Sequence, residues 1–287
     1  MICLIMPVST LTLPKKSFLS TLRTDRWWVE PLLVLCGLGA FILYATWAAF
    51  QGTHYWYDGG VSGFGGYLSP FYSPVVFTDP AMAGNVPLYH AILGSWPSWW
   101  PAWLPASPAL LILIFPLSFR FTCYYYRGAY YKAFSGTPPA CAVGSIPRKD
   151  KGYHGENFLM IFQNLHRYAL YVAIIFIPIL YADAIAGFFR GGKFGIGVGS
   201  FVLLINATLL ALYTFGCHSW RHLIGGRKDC FSCAGMGKLE FGAYKKISFL
   251  NQRHKLFAWC SLIWVGFSDL YVRLISYGAF TDLNTWG

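Results

Sequence analysis

From Pro31 to Phe50 the chain runs for about twenty residues without a charged side chain. A helix rises about 1.5 Å per residue, so this stretch is long enough to cross a bilayer core of roughly 30 Å. Four further apolar runs follow, at about Trp103 to Tyr126, Phe158 to Phe189, Gly195 to Leu223 and Leu256 to Ser276. The first of these contains Pro116, which membrane helices tolerate when neighbouring groups satisfy the freed carbonyl. Together the runs predict an all-α integral membrane bundle of five transmembrane helices over residues 31–276, with the termini on opposite faces. Composition agrees, since 56% hydrophobic and 11% charged residues leave too little polar surface for a soluble domain.

The formal charge of +11 reports orientation rather than nucleic acid binding, because the basic residues cluster beside the apolar runs. Segment 1–30 and the loops 127–157 and 224–255 hold 16 of the 22 Lys and Arg, whereas residues 51–119 contain none. By the positive-inside rule the N-terminus is cytoplasmic, and the 277–287 tail lies outside a bacterial plasma membrane. The opening MICLIMPVSTLTLP is too short to span, and Lys15, Lys16, Arg23 and Arg26 follow it instead of preceding it, which argues against a cleaved signal peptide. Phe18, Leu19, Leu22, Trp27 and Trp28 among those charges suit an amphipathic segment in the headgroup layer. Loop 51–101, rich in Gly, Pro, Trp and Tyr, is expected to form an aromatic external lid on the bilayer.

Ionisable and metal-binding residues inside membrane helices are costly, so each is a functional hypothesis. Cys123, Cys141, His166, Cys217, His218, His222 and His254 converge on the cytoplasmic edge of the predicted bundle. His218 and His222 are spaced to share one helix face, with His218 at a depth similar to His166. Two histidines at equal depth can bridge a haem, while two cysteines with two histidines suit a Rieske-like cluster. Both remain open on the residues alone. Cys3, Cys36 and Cys260 read as packing residues, and His54, His90 and His154 as interfacial side chains. Cys230 and Cys233 form half of a zinc-knuckle spacing with no second half. Asp269 and Arg273 form an i, i+4 pair that neutralises two charges in the fifth run, and Asp183 is placed to join them or to carry protons.

Five motifs in one order on one membrane face carry a resemblance: Cys123-Tyr-Tyr-Tyr-Arg127, Pro138-Pro-Ala-Cys-Ala-Val143, Asn164-Leu-His-Arg-Tyr168, Cys217-His-Ser-Trp-Arg-His222 with Gly225 and Gly226, and Asn251-Gln-Arg-His254. Over nearly the whole chain the sequence resembles the membrane subunit of the actinobacterial-type, haem-free succinate dehydrogenases. The resemblance implies a five-helix anchor that docks a flavoprotein and an iron–sulfur subunit and serves a quinone, menaquinone, in the lipid. It also implies a membrane-embedded Rieske-type [2Fe–2S] cluster. Carried over by motif, its ligands are Cys123 and Cys141 with His166 and His218, and His222 or His254 as substitutes; Trp220 stands where relatives often have cysteine. Tyr67, Tyr72 and Tyr271 are expected to line the quinone pocket, with apolar walls and few polar groups. The rival readings are a haem b anchor, which leaves Cys123 and Cys141 unexplained, and a structural anchor or transporter with no redox centre.

Overall fold

The computed structural model describes residues 17–145, 158–226, 230–231 and 237–286. Cys3, Lys15, Lys16, His154 and Cys233 lie outside them. In chain order the described elements are α1 (Val29–Gln51), β1 (Trp56–Tyr57), β2 (Tyr67–Leu68), α2 (Pro108–Ile112), α3 (Ile114–Tyr126), α4 (Ala129–Phe134), α5 (Leu159–Ala186), β3 (Phe189–Arg190), β4 (Lys193–Phe194), α6 (Val198–Phe215), α7 (His218–Gly225), α8 (Gly237–Gln252) and α9 (His254–Tyr277). The chain divides into two compact units: residues 1–37 with 127–157, and residues 38–126 with 158–287.

In the smaller unit, Leu19 and Gly144 form the centre of a short backbone exchange. The Leu19 N–H donates to the Gly144 carbonyl at 2.9 Å, and the Gly144 N–H to the Ser20 carbonyl at 2.9 Å. Arg23 pairs with the exposed Asp25 and donates through Nη1 to the Cys141 carbonyl at 3.0 Å. Within the expected cytoplasmic loop 127–157, α4 occupies residues Ala129–Phe134. Its AYYKAF segment has no internal Gly or Pro to stop a helical turn.

The larger unit is a helical bundle. Among the described residues, α1, α5, α6 and α9 are long and apolar enough to cross a membrane. The expected second span is present as two pieces, α2 and α3, so one continuous helix becomes a broken one. Pro116 has no N–H to offer Ile112, and the helix assignment is interrupted at Leu113. Bonding resumes on either side, from the Leu113 N–H to Ala109 and from the Leu117 N–H to Leu113, both 2.9 Å. Residues 108–126 therefore cover about 28 Å as one interrupted run.

A second correction concerns the fourth run, which is not one helix. It stops at Phe215, and α7 starts afresh at His218. Gly216 closes α6, its N–H bonded to the Leu212 carbonyl at 2.9 Å, and Cys217 caps α7 with its sulfur accepting from the Ser219 N–H at 3.3 Å. A Cβ at position 216 would sit 3.3 Å from the Leu250 carbonyl oxygen and 3.5 Å from His254 Nδ1, so glycine lets α8 and α9 approach the joint. The Gly216 carbonyl accepts from Asn251 Nδ2 at 2.9 Å, which satisfies a group the break would otherwise leave open. Loop 224–255 is likewise mostly helical where described, through α8.

The expected lid is a packed core in its own right. Tyr55, Tyr67, Tyr72, Phe71, Val75 and Val86 are buried, and the Tyr55 and Tyr72 rings stack with centroids 4.2 Å apart. Strands β1 and β2 pair antiparallel, with Trp56 opposite Leu68. Beneath them Asp269 and Arg273 pair at 3.3 Å, as the sequence spacing proposes. Asp269 also accepts from the hydroxyls of Ser69 and Tyr44, and Arg273 donates to the Thr53 carbonyl at 2.9 Å, so both charges are tied to the lid and to α1.

Candidate metal centre

Cys123 on α3, His166 on α5, Cys217 at the α6–α7 joint and His254 at the start of α9 meet inside the larger unit. Each is 5% exposed or less. His166 Nε2 lies 2.9 Å from Cys217 Sγ, and His254 Nε2 lies 3.6 Å from Cys123 Sγ. Among the described residues no three His, Cys, Asp or Glu side chains close on a point suited to a single ion. The four donors stand instead as two sulfur–nitrogen pairs.

The surroundings fix these side chains. The His166 ring stacks on Phe119 at 4.6 Å and 13°, and the His254 ring stacks on Tyr213 at 4.9 Å and 14°. Phe119 and Tyr213 meet each other edge to face at 5.4 Å, so one aromatic pair braces both imidazoles. Thr122 sets the tautomer of His166. Its hydroxyl donates back to the Ser118 carbonyl at 2.7 Å, which leaves its oxygen to accept from Nδ1–H at 2.9 Å. The proton then sits on Nδ1, and the Nε2 lone pair faces Cys217, the arrangement a metal-ligating histidine requires. At Cys217 the Ser219 N–H donates to the sulfur at 3.3 Å and holds it at the head of α7.

Of the seven residues that the sequence places at the cytoplasmic edge, the structure brings together Cys123, His166, Cys217 and His254; Cys217 is not in the ligand set that the resemblance implies. Cys141 is exposed and belongs to the smaller unit. His218 is exposed at the first position of α7 and His222 half-buried in its last turn, because the break at Gly216 turns Cys217 inward in their place. His218 and His222 keep their i, i+4 spacing on α7, which is separate from α6.

The tyrosines assigned to a quinone are engaged elsewhere. Tyr67 and Tyr271 both donate to Asp282, at 2.7 Å and 2.6 Å, and Tyr72 donates to the Ala48 carbonyl at 2.7 Å. Asp282 also pairs with Arg190 at 3.1 Å, so this cluster fastens the C-terminal segment to the β3–β4 turn. None of the three tyrosines lines the apolar cavity of about 420 Å³ in the larger unit. Its wall includes Phe41 of α1, Phe71 of the lid, Leu113 and Pro116 at the α2–α3 break, and Phe176 of α5. It reaches Phe119 and Tyr213, the two rings that brace the histidines.

Comparison with known proteins agrees with this architecture. The family profile described as actinobacterial succinate dehydrogenase subunit SdhC matches residues 29–278. The chain belongs to that family. It is thus a membrane subunit of a succinate dehydrogenase, an oxidoreductase. A solved chain of the Mycobacterium smegmatis Sdh1 complex in the apo form is 39% identical, with a TM-score of 0.77, and the match covers 96% of this chain and 98% of that one. No curated protein sequence gives a significant match. Family membership accounts for the helical anchor and its membrane location.

The Thr122 contact makes a direct prediction. In Thr122→Val the buried Nδ1–H of His166 loses its acceptor, at a cost of about 1–3 kcal/mol. The melting temperature of the detergent-solubilised protein falls in Thr122→Val and stays near wild type in Thr122→Ser; equal losses in both would show that the hydroxyl does not hold the ring.

Proposed function

We propose that this chain anchors a succinate:quinone oxidoreductase, docking a flavoprotein and an iron–sulfur subunit on its cytoplasmic side, and that it holds a Rieske-type [2Fe–2S] cluster on Cys123, Cys217, His166 and His254. The observation that carries this reading is the burial of two thiols and two imidazoles in sulfur–nitrogen contact at 2.9 Å and 3.6 Å. Thiolates and imidazoles are the donors such iron centres take, and two of each buried together match the donor count of a Rieske-type cluster. When bound, the cluster supplies one-electron transfer between the iron–sulfur subunit and a quinone. The protein's own part is to hold the four donors, fix the His166 tautomer through Thr122, and keep water out with Phe119, Tyr213 and the surrounding apolar side chains.

The quinone, menaquinone in this reading, takes the 420 Å³ cavity and not the neighbourhood of Tyr67, Tyr72 and Tyr271. The cavity lies within the size range of small-molecule sites, is walled by apolar side chains, and ends at the rings that brace the histidines. The distribution of Lys and Arg supports an N-terminus in the cytoplasm and a C-terminus outside a bacterial plasma membrane. A bis-histidine haem b is disfavoured because the Nε2 atoms of His166 and His254 face sulfurs.

Two experiments on the purified complex test these assignments. Cys217→Ala abolishes a Rieske-like low-temperature EPR signal that Cys141→Ser retains; loss in Cys141→Ser with retention in Cys217→Ala would reverse the ligand choice. Leu113→Trp fills the cavity and lowers succinate-driven quinone reduction at least tenfold, while succinate oxidation by a soluble dye is unchanged. Undiminished quinone reduction would remove the cavity from consideration.

A further inference from the structure

We propose that Arg120 is a positioning residue that sets the reduction potential of the metal centre by holding an uncompensated positive charge beside it. The inference rests on the redox-centre reading above. Arg120 lies on α3 one turn before Cys123, the spacing at which helix side chains are neighbours.

Its guanidinium is held in place by neutral groups. Nη1 donates to the Tyr124 hydroxyl at 2.9 Å and to the Ala258 carbonyl at 3.1 Å, and Nη2 donates to Ser261 Oγ at 2.7 Å. Cζ sits 4.5 Å from the centroid of Tyr213, the ring that stacks on His254. Arg190 and Arg273, which are also buried, are paired with Asp282 and Asp269. No carboxylate is within ion-pair distance of Arg120 among the described residues. A desolvated cation held by four neutral contacts is costly unless an anion lies near. The anions that its position offers are the thiolates that Cys123 and Cys217 become when they bind metal.

The sign of the effect follows from charge. Adding one electron makes the loaded site one unit more negative, while Arg120 remains positive. A fixed cation therefore stabilises the reduced state more than the oxidised one, and the apolar surroundings weaken screening. Arg120 also lines the 420 Å³ cavity, so the charge stands where the centre and the cavity adjoin. Arg120 would thus raise the reduction potential of a centre held by Cys123, Cys217, His166 and His254.

The test is an EPR-monitored redox titration of the membrane centre in the intact complex. Arg120→Gln lowers the one-electron reduction equilibrium constant at least tenfold, which is about 59 mV in midpoint potential, with the g values retained. Arg120→Lys keeps the charge and recovers most of that loss. Because Arg120→Gln removes several contacts that assembly can depend on, Ser261→Asp provides a second route: it sets a carboxylate against Nη2, neutralises the cation in place and also lowers the midpoint. A signal of wild-type form with an unmoved midpoint in Arg120→Gln or Ser261→Asp overturns the inference alone. Absence of any Rieske-like signal from the wild-type complex overturns the redox-centre reading and the inference with it.

Discussion

A helix in hydrocarbon has no water to satisfy its backbone, so any interruption needs compensating partners and persists only where it is supported. This chain interrupts two of its helical runs, and each interruption adjoins a candidate site. At Gly216 and Cys217 the fourth run stops, Asn251 takes up the Gly216 carbonyl, and the restart turns a sulfur inward against His166. At Leu113 and Pro116 the second run is broken, and those residues form part of the cavity wall. The remaining spans, α1, α5, α6 and α9, supply the apolar frame that keeps both places dry.

Two buried clusters tie the frame to the loops at the lid end. Asp269 and Arg273 fasten the lid to α9, while Asp282 gathers Tyr67, Tyr271, Arg190 and the Gly199 N–H around the C-terminal segment. A Cβ at Gly199 would lie 2.4 Å from the Tyr67 ring, so the first turn of α6 depends on glycine to admit that tyrosine. These contacts explain why the lid's tyrosines are structural: their hydroxyls are already committed to carboxylate and carbonyl acceptors.

The spans were legible because uncharged length is a one-dimensional property, and the Asp269–Arg273 pair because helix spacing determines it. The donor set was legible in part. Cys123, His166, Cys217 and His254 were all among the residues placed at the cytoplasmic edge, while Cys141, carried over by the resemblance, lies in the smaller unit. A continuous fourth helix was expected, whereas α6 ends at Phe215 and α7 begins at His218. The Gly216–Cys217 step was the available signal, since a small residue followed by a capping sulfur can end one helix and begin another. Thr122 and Arg120 carry no sequence signature of their own, because their roles depend on which helices pack against α3. The cavity was likewise invisible, being formed by residues from α1, the lid, α2, α3, α5, α6 and α9.

The claim that Cys123, Cys217, His166 and His254 form the metal site is tested most directly by hyperfine spectroscopy of the reduced complex containing isotope-labelled histidine. The account predicts two coordinated imidazole nitrogens in the wild type, a changed or lost signal in His254→Ala, and an unaltered spectrum in His218→Ala. An intact spectrum in His254→Ala together with nitrogen coupling lost in His218→Ala would contradict it.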